Sequence, residues 1–416
     1  MEIDVDLHLH GLHSGGGSDR MKIPVMDEQS ARKGLDLIAT GDILNPEWER
    51  HVREHTTASD GLREAEHCHF IAGAEVEDED RVHHVLLFPD LDAVGQVRDA
   101  FSNHSTDIRS EGRPHLRLDG EEIARTVVEH GGLVGPAHAF TPWTSVYKEH
   151  DALQDCYGSM TDELAFLELG LSADSNVADG LSELNDMTFL SNSDAHSPWP
   201  HRMGREFNRI EQSDMSFGAL QEALEPGRNT GIRLNAGFDP REGKYHCTAC
   251  QDCHQKYTPE QASSFDWTCD VCGKRIKQGV KDRAAELADG GTSPDWRPPY
   301  QHMVPLAELV REVVGHASVT TKGVERLYDQ FLDAFPSETD ILLDQPLDAL
   351  QEVNPGVARA VRLFREEEYL FVPGGGGEYG ELILPRDEDE RAAIRERRAD
   401  ELECRYEKRQ QSLGDF

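Results

Sequence analysis

Lysine is scarce in this sequence: 42 residues are basic, and only 10 of them are lysine. Against 79 acidic residues they leave a formal net charge of −37, dispersed along all 416 residues. A chain so acidic is excluded from the class that holds nucleic acid through a broad basic surface, and any such binding must rest on a few local contacts. The dispersal argues against an acidic tract made for one basic partner. A uniformly acidic surface that prefers arginine to lysine suits a medium where salt screens self-repulsion, the Debye length being about 3 Å at 1 M. The expectation is a halophilic, high-salt cytosol.

Long apolar runs are also missing. None approaches the roughly 20 residues of a membrane span, and the first residues lack the basic, apolar, small-residue order of a signal peptide, so a cytoplasmic location is expected. Cysteine is sparse outside one stretch: five of the eight lie between 247 and 272. That excludes a distributed disulfide scaffold and points to thiolate metal binding in a reducing compartment. The length exceeds what one core supports, so two or three units are expected.

What is present starts at Asp4-Val5-Asp6-Leu7-His8-Leu9-His10. In a strand, alternate side chains share a face, so Asp6, His8 and His10 point one way and Val5, Leu7 and Leu9 the other. Strand-like runs ending in an acid or a histidine recur as Thr40-Gly41-Asp42, Gly73-Ala74-Glu75, Val82-His83-His84, Gly135-Pro136-Ala137-His138 and Ser193-Asp194-Ala195-His196. Together they read as a polynuclear metal site. Histidine and carboxylate without cysteine suit zinc, manganese or iron, with magnesium as a further divalent candidate. Strand-like and helix-like segments alternate over residues 1–235, which predicts an α/β fold with a parallel sheet and crossovers. Each ligand would stand at the carboxyl end of its strand, where parallel barrels place their chemistry.

The second unit, 236–290, carries Cys250 and Cys253, then Cys269 and Cys272 fifteen residues on. This spacing predicts a zinc ribbon with one structural zinc; Cys247 with Cys250 is the alternative first pair, and otherwise Cys247 or His246 is a spare neighbour. Half of the lysines fall between 241 and 283, and Lys274, Arg275 and Lys277 after the last cysteine pair suggest a phosphate-contacting surface. Residues 291–400 show mostly helical periodicity. In the tail, 401–416, Gln410, Leu413 and Phe416 fit the spacing of peptides that dock on DNA sliding clamps.

The initial His-x-His, the isolated Glu75, Ala137-His138 and Asp194-x-His196 resemble the motifs of PHP (polymerase and histidinol phosphatase) phosphoesterases. A narrower resemblance, to the endonuclease Q family, is carried by Ala39-Thr40-Gly41-Asp42, Gly112-Arg113-Pro114, Thr141-Pro142-Trp143, Glu168-Leu169-Gly170-Leu171-Ser172, Ser191-Asn192-Ser193-Asp194-Ala195-His196-Ser197 and Glu242-Gly243-Lys244-Tyr245-His246. It implies a distorted (β/α)7 barrel with two or three metals, and a DNA repair nuclease cutting 5′ to uracil, hypoxanthine, xanthine or abasic sites. By resemblance, His8, His10, Glu75 and Asp194 hold one ion, Glu75 bridges to a second at His83 and His138, and Asp42 with His196 forms a third. Glu75 and Asp194 are the expected catalytic pair. Many PHP enzymes have histidine where Asp42 stands and another six residues after the His-x-His; here that second position is Gly16, and His13 is the nearest substitute. A base extruded from the duplex would meet the barrel-mouth loops at Trp143 and Ser172. A small-molecule phosphoesterase of the histidinol-phosphatase type shares the metal set and is the alternative expectation.

Overall fold

A computed structural model describes residues 1–225, 227 and 230–404. Gln410, Leu413 and Phe416 lie outside the described residues. The fold is mixed α/β, and the chain divides into two compact units: residues 1–238 with 288–366, and residues 239–287 with 367 onward.

In residues 1–238 of the first unit the strands are β1 (Glu2–Asp6), β2 (Leu37–Ala39), β3 (Thr57–Ser59), β4 (Leu62–Glu64), β5 (His69–Glu77), β6 (His83–Phe88), β7 (Leu133–Pro136), β8 (Leu167–Glu168), β9 (Phe189–Leu190), β10 (Phe207–Glu211) and β11 (Ile232–Gly237), and a strand at Tyr300–His302 pairs in parallel with β11. β1 pairs with β2 and β2 with β5 in parallel, as expected. β6 departs from the expectation, since it pairs antiparallel with both β5 and β7. The cause is the link 78–82, which is too short for the dozen or more residues a parallel crossover requires. β8 and β9 are parallel to each other. Beside them, Ala165 N donates to Val134 O (3.0 Å), Asp194 N to His8 O (3.0 Å) and His10 N to Ala195 O (3.0 Å).

The antiparallel turn decides where the chemistry sits. β1, β2, β5 and β7 run one way, so their carboxyl ends lie at one edge of the sheet. β6 runs against them, so its first residue, His83, arrives at that same edge. His83 thus stands at the amino end of its strand, contrary to the expected rule, yet beside Glu75 and His138.

Alternation along the strands packs Val5, Leu37, Ile71, Val85, Phe166 and Leu190 into one buried apolar cluster. The other face of β1 is buried too: Asp6 is inaccessible and accepts from Ser193 N (3.1 Å) and Gly204 N (2.9 Å). A sheet covered on both faces needs such paired polar groups. The helix Ile23–Lys33 is closed by Gly34 in the left-handed conformation (φ 96°), and the helix Gly120–Glu129 opens on a capping box of Asp119 and Glu122.

The helices Leu306–Val314, Lys322–Ala334, Leu347–Val353 and Pro355–Arg365 follow the expected periodicity and belong to the first unit. One buried ion pair fastens them there. Lys33 Nζ meets Glu338 Oε1 at 2.6 Å, both side chains being inaccessible, and Glu338 also accepts from Leu306 N (2.9 Å) and Tyr328 Oη (2.8 Å). Removing one partner strands the other charge. Lys33→Met should therefore cost about 3–5 kcal/mol in denaturant unfolding, while Lys33→Met with Glu338→Leu recovers much of it. A single variant that unfolds at the wild-type midpoint would contradict this role.

Candidate metal centre

Five histidines and two carboxylates converge at the sheet edge. His8, His10 and Glu75 form one cluster, Glu75, His83 and His138 a second, and His10, Asp194 and His196 a third, each with ligand atoms within 4.8 Å of one another. Glu75 joins the first two. Its Oε1 lies 2.7 Å from His83 Nδ1, 3.0 Å from His138 Nε2 and 3.7 Å from His8 Nε2, and its Oε2 lies 3.4 Å from His10 Nε2.

Backbone geometry aims several of these groups. Asp42 (φ 51°), His138 (φ 31°) and Asp194 (φ 47°) all occupy the left-handed region just past their strands. Asp and His are among the residues that tolerate it, and such positions gather at functional sites. Gly170, also left-handed (φ 71°), lets the next loop approach: a Cβ there would fall 2.5 Å from His138 Cβ.

The far nitrogen of each of the four imidazoles nearest Glu75 is engaged. His8 Nδ1 donates to Glu168 Oε2 (2.9 Å). His10 Nδ1 donates to Ser14 Oγ (2.9 Å), whose hydroxyl donates to Asp42 Oδ1 (2.6 Å). His83 Nε2 donates to Glu77 Oε2 (2.9 Å). His138 Nδ1 donates to Thr141 Oγ1 (3.2 Å), which donates to Trp143 O (2.7 Å). These partners fix the tautomers so that the lone pairs of His8 Nε2, His10 Nε2, His83 Nδ1 and His138 Nε2 face Glu75. His8 Nε2 is fully buried and has no hydrogen-bond partner among the described residues. A buried lone pair directed at carboxylates 3.7 and 3.8 Å away fits a cation.

The electrostatics agree. Burial works against charge on His8, but Glu168, Glu75 and Asp194 outweigh it and push the imidazole up to about 10; His10, facing Asp194, Asp42 and Glu75, rises to about 9. Burial also opposes ionisation of Glu75 and Asp194, yet the neighbouring imidazoles hold both carboxyls below their ordinary range. Protons on His8 and His10 answer the same excess of negative charge that divalent ions would. Arg113 adds one permanent cation, its Nη1 donating to Glu75 Oε2 at 3.0 Å.

Asp42 stands behind this cluster. Its oxygens accept from Ser14 Oγ and from His13 N (3.0 Å), so it orients the 10–14 turn and, through Ser14, His10. The His13 ring lies edge-on to Trp48, and the His196 ring lies tilted against His10 with ring centroids 4.0 Å apart. His84 is buried on the opposite face and bonds Tyr157 and Asp78. Trp143 is exposed and Ser172 half-buried. Glu168, Glu77, Ser14, Thr141 and Arg113 were not singled out in sequence as site residues. Glu168 ends the strand Leu167–Glu168, inside the apolar run Leu164 to Leu169, and so obeys the same rule as Glu75; the hydroxyls and Arg113 leave no such signal.

In the second unit, Cys250 and Cys272 place their sulfurs 3.4 Å apart and Cys253 and Cys269 3.5 Å apart, against an apolar cluster of Tyr257, Ala262 and Ile276. This donor set fits one tetrahedral thiolate site. Cys247 is not spare: it is disulfide-bonded to Cys404, which also excludes the Cys247–Cys250 pairing. Lys274 and Arg275 are exposed beside the knuckle and Lys277 is half-buried.

With this geometry in hand, the comparisons decide the family. The crystal structure of the lesion-specific endonuclease PfuEndoQ from Pyrococcus furiosus is 47% identical, superposes with a TM-score of 0.89, and is matched over 93% of this chain and 96% of that one. The chain belongs to the endonuclease Q family. A second endonuclease Q structure, a complex with a 27-mer duplex carrying an abasic lesion at the active site, matches at 47% identity and a TM-score of 0.87 over 93% of this chain and 97% of that one. Residues 305–368 match the model of the MJ0043 C-terminal domain. The uncharacterised protein MJ0043 of Methanocaldococcus jannaschii is 43% identical over 271 residues, 64% of this chain but 33% of that protein, so the chain spans about a third of its length. The uncharacterised protein YqxK of Bacillus subtilis is 30% identical over 92% of this chain and 99% of its own.

Metal binding requires neutral imidazoles, and raised pKa values mean that His8 and His10 are protonated at neutral pH. Metal uptake should therefore release about two protons, and affinity should rise as pH climbs towards 9. Calorimetry in buffers of different ionisation enthalpy reads this directly; pH-independent binding without proton release would contradict the assignment. Glu168→Gln, which removes the charge behind His8, should weaken metal affinity by about 10–100-fold.

Proposed function

We propose that this chain is a metal-dependent DNA repair endonuclease that hydrolyses the phosphodiester 5′ to a deaminated base (uracil, hypoxanthine or xanthine) or an abasic site. The observation that carries the reading is the convergence of four tautomer-fixed imidazole lone pairs on the single buried carboxylate of Glu75. The endonuclease Q relative bound to an abasic-lesion duplex supports the choice of substrate.

His8, His10, Glu75 and Asp194 would hold one divalent ion, and Glu75, His83 and His138 a second. His196, with Asp194 and His10, is the better candidate for a third than a pairing with Asp42, whose oxygens are already engaged. Such ions, when bound, acidify water and offset the charge that develops on phosphate oxygens during hydrolysis. Glu168 and the Ser14–Asp42 pair keep His8 and His10 in register. Arg113 is placed to take a phosphate oxygen once Glu75 is engaged elsewhere. Trp143, tied through Thr141 to His138, and Ser172 would border the extruded nucleotide.

On this reading β1, β2, β5, β6, β7, β8 and β9 are the strands of the distorted (β/α)7 PHP barrel, supported by the hydrogen bonds that link residue 194 to His8 and 165 to Val134. The four thiolates would hold a structural zinc, with Lys274, Arg275 and Lys277 on the phosphate side. The acidic surface marks a high-salt cytoplasm, and Gln410, Leu413 and Phe416 a sliding-clamp peptide that tethers the enzyme to DNA.

In molar KCl with manganese, the protein should nick uracil- or hypoxanthine-containing duplexes in the lesion strand only. Hydrolysis of small phosphate monoesters without nicking would overturn the reading in favour of a small-molecule phosphoesterase. Glu75→Gln and Asp194→Asn should each lower nicking by roughly 10²-fold or more with an unchanged melting curve. Because screening is near its limit, activity should change little between about 0.5 and 2 M KCl. A loss of several decades over that range would show that the protein binds DNA through many phosphate contacts after all.

A further inference from the structure

Beside the metal centre lies a cavity of about 370 Å³, lined by Asp194 and His196, by Arg202 and Arg205, and by Gly16 and Ser18. Its walls are fixed by groups that take no part in metal binding. Asp6, at the end of β1, accepts from both Ser193 N and Gly204 N, and so pins both ends of the loop that carries these residues. Arg205 Nε donates to Ser193 O at 3.0 Å, which leaves the two terminal nitrogens of its guanidinium fork for another acceptor. The opposite wall is tied on by Ser18 N, which donates to His196 O at 2.8 Å. Gly16 is left-handed (φ 78°), and a Cβ there would meet nothing within 4 Å, so this wall stands back from the cavity.

The two arginines are out of character for this chain. Acids outnumber bases by 79 to 42, yet among the described residues neither Arg202 nor Arg205 has a carboxylate within salt-bridge distance. Arg205 is also partly desolvated, and burial lowers its pKa. Two guanidinium groups in one cavity with no carboxylate in contact offer an anion a place, and a planar fork suits the oxygens of a phosphate. Asp194 on the same wall is committed to His10 at 2.9 Å. An anion held here would sit next to the proposed scissile position, not on it.

We propose that Arg202 and Arg205 form a phosphodiester subsite that holds a backbone phosphate of the DNA strand adjacent to the one being cut. The proposal rests on the reading of the chain as a DNA endonuclease. It explains how so acidic a surface registers a strand: two cations at one spot, Arg205 tied to Ser193 O, replace a basic groove.

The test is a scan in which each phosphate around the lesion is replaced in turn by a neutral methylphosphonate. Wild-type protein should lose about tenfold or more in kcat/KM at one flanking position, since a hydrogen bond to a charged group is commonly worth that factor. Arg205→Gln and Arg202→Gln should each lose about tenfold on the unmodified duplex and become indifferent to the substitution at that position. Fluorescence anisotropy in EDTA should show the same pattern for binding alone. Arg202 is exposed, so Arg202→Gln keeps the test intact should Arg205→Gln fail to fold; its melting curve and bound metal should match the wild type. Variants that stay as sensitive to every methylphosphonate as the wild type overturn the subsite. So do variants that lose affinity for inorganic phosphate while cutting DNA normally, because the cavity would then be a free-phosphate site. Wild-type protein that nicks no lesion duplex at all would sink the nuclease reading instead, a distinct outcome.

Discussion

The centre depends on one constraint: four imidazoles must present bare nitrogens to the same buried carboxylate. Left to themselves, buried histidines would pair their protons with Glu75 and Asp194 and close the site as a hydrogen-bonded core. Glu168, the Ser14–Asp42 pair, Glu77 and Thr141 hold the far nitrogen of each ring as the donor, so that an ion displaces any proton from the near nitrogen and finds its lone pair already aimed. The sheet exists, functionally, to bring these four outer groups into place. The antiparallel turn at 78–82 matters as much as any ligand, because it delivers His83 to the edge where the other strands end.

Much of this was legible in the residues. Period-two alternation located β1 and assigned Val5 and Leu7 to the core, and apolar runs ending in acid or histidine marked the residues that the structure brings together, from His8 to His196. The helix ending at Lys33 was readable from the glycine that closes it, and the one spanning Gly120–Glu129 from its helix-like pattern. The direction of β6 was not read: a rhythm of strand and helix suggests crossovers, and only the short link after Glu77 betrays a hairpin. The outer groups were hidden for a different reason. A serine or threonine that fixes a tautomer has no periodicity, and a position at a strand end does not reveal that the Asp42 oxygens accept from Ser14 and from His13 N. The Cys247–Cys404 bond spans 157 residues, a separation that no local pattern predicts.

Charge is organised on two scales. Over the whole surface it is negative and repels nucleic acid; at the site, Arg113 is held by Glu75 and Arg205 by Ser193 O, and Arg202 lines the cavity beside Asp194. Recognition through fixed local cations tolerates high salt better than a diffuse basic surface does, because close and partly buried charges are screened least.

Anomalous diffraction from crystals soaked with manganese, collected on both sides of the metal edge, tests the central claim most directly. The account predicts two maxima flanking the Glu75 carboxylate, one bordered by Nε2 of His8 and of His10, the other by Nδ1 of His83 and Nε2 of His138. Ions bound through the opposite ring nitrogens, or maxima confined to the cysteine cluster, would contradict it.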